Sequence, residues 1–98
     1  MEDTLKLLMI IVESHCREQL EVLLQRKGIT GYTEIPGTHG IGSTGVRMGS
    51  SAHPETSSIF FTVVEDDQAA GLKETICSFC DASEKKMRMI QWGVEEIA

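Results

Sequence analysis

Cysteine is scarce in this chain: three residues in 98, an odd number. That excludes a complete disulfide framework and suits a reducing compartment. Cations are scarce too. Nine lysines and arginines face fifteen aspartates and glutamates, giving a net charge of −6, which argues against non-specific binding to nucleic acid or anionic membranes. Long apolar runs are missing. The longest, Leu5 to Val12, is interrupted by Lys6 and is too short to span a bilayer. The acidic start Met1-Glu2-Asp3 lacks the basic region of a secretory signal. A cytoplasmic protein is expected, with neither membrane insertion nor nucleic acid as its business.

What is present is a globular share of apolar residues, 41%, enough for one domain over residues 1–98. Thr4 to Glu13 reads as a buried central strand. Ser14 is a candidate N-cap for a helix that buries Cys16, Leu20, Leu23 and Leu24, with Gly28 as its C-terminal stop. A second strand is expected at Gly31 to Ile35, stopped by Pro36. The run Ser58 to Val64 is rich in β-branched and aromatic residues and reads as a third strand. Asp66 or Asp67 can cap a second helix reaching about Cys80, with Ala69, Leu72, Ile76 and Phe79 on its core face. Asp81 to Lys86 reads as a polar turn, Met87 to Trp92 as a fourth strand, and Gly93 as the start of a tail. The order β-α-β-β-α-β is the ferredoxin-like arrangement of an α+β sandwich. Its helices cover one sheet face, yet the first strand is apolar on both, so self-association is expected.

Between the second and third strands lies a stretch of glycine, serine, threonine and histidine, 37–57. A structureless connection of this length in a small domain is usually functional or disordered. Gly37, Gly40 and Gly42 permit close backbone approach to an anion. Arg47 can add a charge-assisted hydrogen bond. Gly40-Ile-Gly-Ser-Thr-Gly45 has neither dinucleotide-fingerprint nor P-loop spacing.

The chain resembles the PII signal-transduction family over nearly its whole length. The resemblance rests on Thr33-Glu34-Ile35-x-Gly37 before the long loop, on the run Ile59 to Val64 ending in Glu65-Asp66-Asp67, and on Val94-Glu95-Glu96 after the last strand. It implies a homotrimer with nucleotide sites in the clefts between subunits, at the base of a regulatory "T-loop", here 37–57. It also implies a signalling protein and not an enzyme, one that senses AMP, ADP or ATP and controls a transporter or enzyme through the loop. The expected ligand-binding set joins the loop residues Gly37, Gly40, Gly42 and Arg47 to Lys85, Lys86 and Arg88, which keep positive charge after the second helix, Arg88 near the position of the family's phosphate-contacting lysine. The chain departs from the family where Asp81 to Lys86 replaces a glycine-rich basic loop, and where serine or threonine replaces a lysine before the third strand. Fewer cations favour AMP or ADP over a triphosphate. The long loop also lacks the tyrosine that classical members use for uridylylation.

A rival reading starts from Cys77-x-x-Cys80. Two thiolates with loop histidines His39 and His53 could hold a metal, as in a trimeric protein similar to the CutA metal-tolerance family, or form a redox switch. Structural zinc takes four ligands, and this pair lies at a helix C-terminus, the wrong end for a thioredoxin-like thiolate. Cys16 and Cys80 read more simply as small buried hydrophobes. No nucleophile–base pair or carboxylate dyad stands out.

Overall fold

A computed structural model describes residues 4–42, 45–52, 54–83 and 87–98. Strand β1 (Leu5–Glu13) passes through a short 3-10 turn (Ser14–Cys16) into helix α1 (Arg17–Arg26). Then come β2 (Thr33–Thr38), the short strands β3 (Gly40–Gly42) and β4 (Gly45–Arg47), β5 (Ser57–Glu65), α2 (Asp66–Ser83) and β6 (Met87–Val94). The main sheet is antiparallel in the order β2-β5-β1-β6, and β3 pairs with β4 in a separate ribbon. This is the expected ferredoxin-like α+β frame.

Alternation along the two central strands decides where the core lies. Leu8, Ile10 and Val12 of β1 and Phe60 and Val64 of β5 are buried with Leu20, Leu23 and Leu24 of α1 and Ala69, Leu72 and Ile76 of α2. Both helices therefore cover one sheet face. Phe79, Cys80, Met87 and Met89 pack on the edge of this cluster. The opposite face carries Leu7, Met9 and Ile11 of β1, beside Ile59, Phe61 and Val63 of β5 and Ile90 and Trp92 of β6. Val63 and Trp92 on that face are nearly half exposed.

Local chemistry sets the element ends, in places differently from expectation. Gly28, at φ +73°, ends α1 as predicted. Its amide bonds to Gln25 O and the Ile29 amide to Leu24 O, the paired bonds of a Schellman turn. Ser14 is not the N-cap, because a 3-10 turn intervenes before α1 and the Ser14 hydroxyl bonds elsewhere. Asp66 is already helical; the Gln68 side chain instead reaches back 3.2 Å to accept the Glu65 amide. Pro36 does not stop β2. The strand lies at the sheet edge, where a missing amide is tolerated, and it continues to Thr38 through a register shift between Ile35 and Thr38 with Gly37 at φ +65°. Helix α2 extends to Ser83 and β6 to Val94, past their expected limits at Cys80 and Trp92.

Candidate functional site

Part of the 37–57 segment, whose order the sequence leaves open, is regular structure. Residues 37 and 38 belong to β2, and 57 opens β5. Between them β3 and β4 form a ribbon with Gly40 opposite Arg47, Ile41 opposite Val46 and Gly42 opposite Gly45. Ile41, 72% exposed, projects from this ribbon. Glycine is conformationally permissive and enters such a ribbon as well as a coil; here Gly40 pairs with Arg47 and Gly42 with Gly45.

The return of the loop is tied to the end of β1. In the β1–β5 register Glu13 lies opposite Ser57, and the same pairing continues outward through side chains and backbone. The Ser14 amide bonds to Thr56 O at 3.0 Å, and the two hydroxyls lie 2.7 Å apart. His15 Nδ1 is 3.5 Å from Glu55 Oε2, while its Nε2 is 3.2 Å from Glu13 Oε2. Arg47, 7% exposed, donates from Nη2 to Glu13 Oε1. The Gly49 amide reaches Glu55 O at 3.1 Å. Gly49 takes φ +62°, and a Cβ there would lie 2.8 Å from His39 Nε2. A left-handed conformation and a crowded approach both call for glycine at this position.

A second polar group fastens α1 to β2. Arg17 donates from Nε to Glu34 Oε2 at 2.6 Å and from Nη2 to the other carboxylate oxygen, and lies 3.3 Å from Glu21. Tyr32 donates to Glu21 at 2.5 Å, while its ring packs on Phe60 with centroids 5.3 Å apart. The Arg17 hydrogen bonds hold the Glu34 carboxyl below its ordinary pKa. The Tyr32 phenol is pushed up, first by its hydrogen bond to Glu21 and then by burial.

The described members of the sequence-derived ligand set are spread over this end of the molecule. Gly37, Gly40 and Gly42 lie along β2 and β3 with open space where a Cβ would project, so their backbone is approachable. Arg47 is engaged by Glu13. Arg88 is exposed on β6, opposite Ile11 and on the face away from the helices. Lys85, Lys86 and His53 lie outside the described residues. Cys77 is exposed and Cys80 half-buried on α2. Neither joins a three-ligand group with His39 among the described residues; the group found there is Glu13, His15 and Cys16. Sequence reading missed Glu13, His15, Glu55 and Thr56 as partners, since their meeting depends on the β1–β5 register. At the opposite end of the sheet, a cavity of about 460 Å³ is lined by Thr4, Glu65, Asp66, Asp67 and Ala70. Its carboxylates make it unsuited to a phosphate. Among the described residues no helix is long and apolar enough to cross a membrane.

Fold and inserted ribbon together define a PII-like architecture. The chain matches the family "Nitrogen regulatory protein P-II" over residues 5–94 and belongs to it. Among solved structures it is similar to CPII, a nitrogen regulatory PII-like protein from Thiomonas intermedia K12, bound to ADP, AMP and bicarbonate. The TM-score is 0.70 at 28% identity, covering 92% of this chain and 89% of that one. CPII bound to ADP and bicarbonate gives a TM-score of 0.69 at 29% identity, with the same coverage. A DUF3240 family protein from Shewanella baltica OS155 shares the fold, with a TM-score of 0.71 at 15% identity, covering 99% of this chain and 97% of that one. A search of curated proteins returned no match.

Proposed function

We propose that this PII-family chain is a cytoplasmic, non-enzymatic sensor of an adenine nucleotide, with AMP and ADP preferred over ATP. It acts as a homotrimer that controls a partner transporter or enzyme through its inserted ribbon. The nucleotide class is supported by the ADP and AMP bound to CPII. The observation that carries the mechanism is the Arg47–Glu13 pair, which holds the returning arm of the ribbon against the end of β1.

In this reading the approachable amides around Gly37, Gly40 and Gly42 meet the phosphates, with Arg88, Lys85 and Lys86 supplying charge. Arg47 is the switch. A phosphate that draws its guanidinium away from Glu13 frees the β4 arm, and the ribbon shifts between populations of which one docks on the partner. The small number of cations fits a mono- or diphosphate better than a triphosphate. The apolar face built from Met9, Phe61 and Ile90 meets its copies in the trimer, in keeping with its lack of a helix cover.

Calorimetric titration with AMP, ADP and ATP, each with and without bicarbonate, tests the assignment. Saturable heat with AMP or ADP, weakened in Arg88→Ala, is expected. No heat from any of the three at near-millimolar protein overturns the nucleotide reading.

A further inference from the structure

We propose that Glu13, His15 and Cys16 form a binding site for a borderline-soft metal ion, with zinc the best match, at the base of the inserted ribbon. One ligand atom from each of the three lies within 4.8 Å of the others. Glu13 Oε2 and His15 Nε2 are 3.2 Å apart. Zinc bonds of roughly 2.0–2.3 Å in tetrahedral geometry place neighbouring ligand atoms roughly 3.3–3.8 Å apart. The carboxylate and imidazole are therefore at ligand spacing, and the thiol needs to approach by no more than about 1 Å. Three protein ligands leave the fourth position for water or an incoming group.

The donor set selects the metal. Thiolate and imidazole disfavour magnesium and calcium, which take oxygen ligands, and favour zinc or another late first-row ion. Outer partners are already in place. His15 Nδ1 faces Glu55 Oε2 at 3.5 Å, the carboxylate–histidine arrangement that fixes tautomer and ring orientation behind a metal. The other oxygen of Glu13 accepts from Arg47. Ligands come from the end of β1 and the 3-10 turn, whereas both supporting residues come from the inserted segment. Ion occupancy and ribbon position are thereby coupled. This site is distinct from the Cys77-x-x-Cys80 pair, and its test stands apart from that of the nucleotide reading.

Chelator-stripped full-length protein carrying Cys77→Ser and Cys80→Ser is titrated with cobalt(II) and then zinc. One cobalt per chain is expected, with a thiolate charge-transfer band in the near ultraviolet that zinc abolishes. Zinc affinity measured by competition falls about 100-fold in His15→Ala and about 10-fold in Glu55→Gln. The exposed positions of His15 and Glu55 leave folding intact in both variants. Cys16→Ser loses the band; because Cys16 is buried, its folding is checked by circular dichroism. Absence of the band in the parent, or zinc affinity unchanged in His15→Ala, overturns the site.

Discussion

Arg47, near the end of the inserted ribbon, and Glu13, the last residue of the central strand, form an ion pair across 34 residues of sequence with the guanidinium buried. A buried charge left without its partner costs more than the pair contributes. Glu13→Ala is therefore expected to destabilise the protein by about 2 kcal/mol in urea unfolding. Arg47→Met, which keeps much of the stem and removes the charge, is expected to cost less. In both, limited proteolysis is expected to cut within 39–56 sooner than in the parent. Equal protection of that segment would show that the pair does not hold the ribbon.

Gly28 and Gly49 both occupy the left-handed region, at φ +73° and +62°, but only Gly49 is crowded, by His39 and Thr56. Gly28→Ala is expected to lose about 1 kcal/mol from backbone strain alone. Gly49→Ala adds a steric clash and is expected to lose more, with a local rearrangement visible in the His39 imidazole NMR signals. Equal costs at the two sites would show that the neighbours of Gly49 yield freely.

The lowered carboxyl pKa of Glu34 makes part of the stability pH-dependent. Folding favours the ionised form, so the contribution is fully present above the ordinary glutamate value of about 4.3 and fades as pH falls through the lower folded value. Thermal unfolding of Glu34→Gln is expected to fall below the parent at neutral pH and to approach it in acid. A constant gap from pH 7 to 3 would assign the loss to packing instead of ionisation.

Trp92 lies opposite Leu7 on the sheet face away from α1 and α2. Trp92→Glu places a charge on that face, which an apolar subunit contact cannot accommodate without a partner. The parent is expected to sediment as a trimer and the variant as a smaller species that keeps its circular dichroism spectrum. A monomeric parent would refute the trimer.

The frame was legible from residue patterns because burial enforces it. Leu8, Ile10 and Val12 alternate with Leu7, Met9 and Ile11, and the α1 leucines recur at helical spacing. Those periods survive any detail of pairing. Element ends were less legible. Pro36 stops a central strand but not an edge strand, and edge position is a property of sheet order. Ser14 reads as a cap until Thr56 arrives opposite it and takes its hydroxyl. The loop-base cluster was hidden for the same reason: His15 meets Glu55, and Glu13 meets Arg47, only once β1 and β5 are in register. Arg47 was singled out from its charge alone, and nothing near it in sequence announces Glu13.

Strand β1 sits in the interior of the sheet, yet both of its neighbours come late in the chain: Glu13 pairs with Ser57, and Leu5 with Glu65 and Val94. No short hairpin can shelter it during synthesis. Its apolar residues must wait for more than forty further residues to emerge before a first partner strand exists, and for β6 before the second. Such non-local pairing makes folding slow relative to a helical domain of this size, with an unpaired apolar strand exposed meanwhile. The order of the strands thus sets a kinetic hazard that native-state stability does not register.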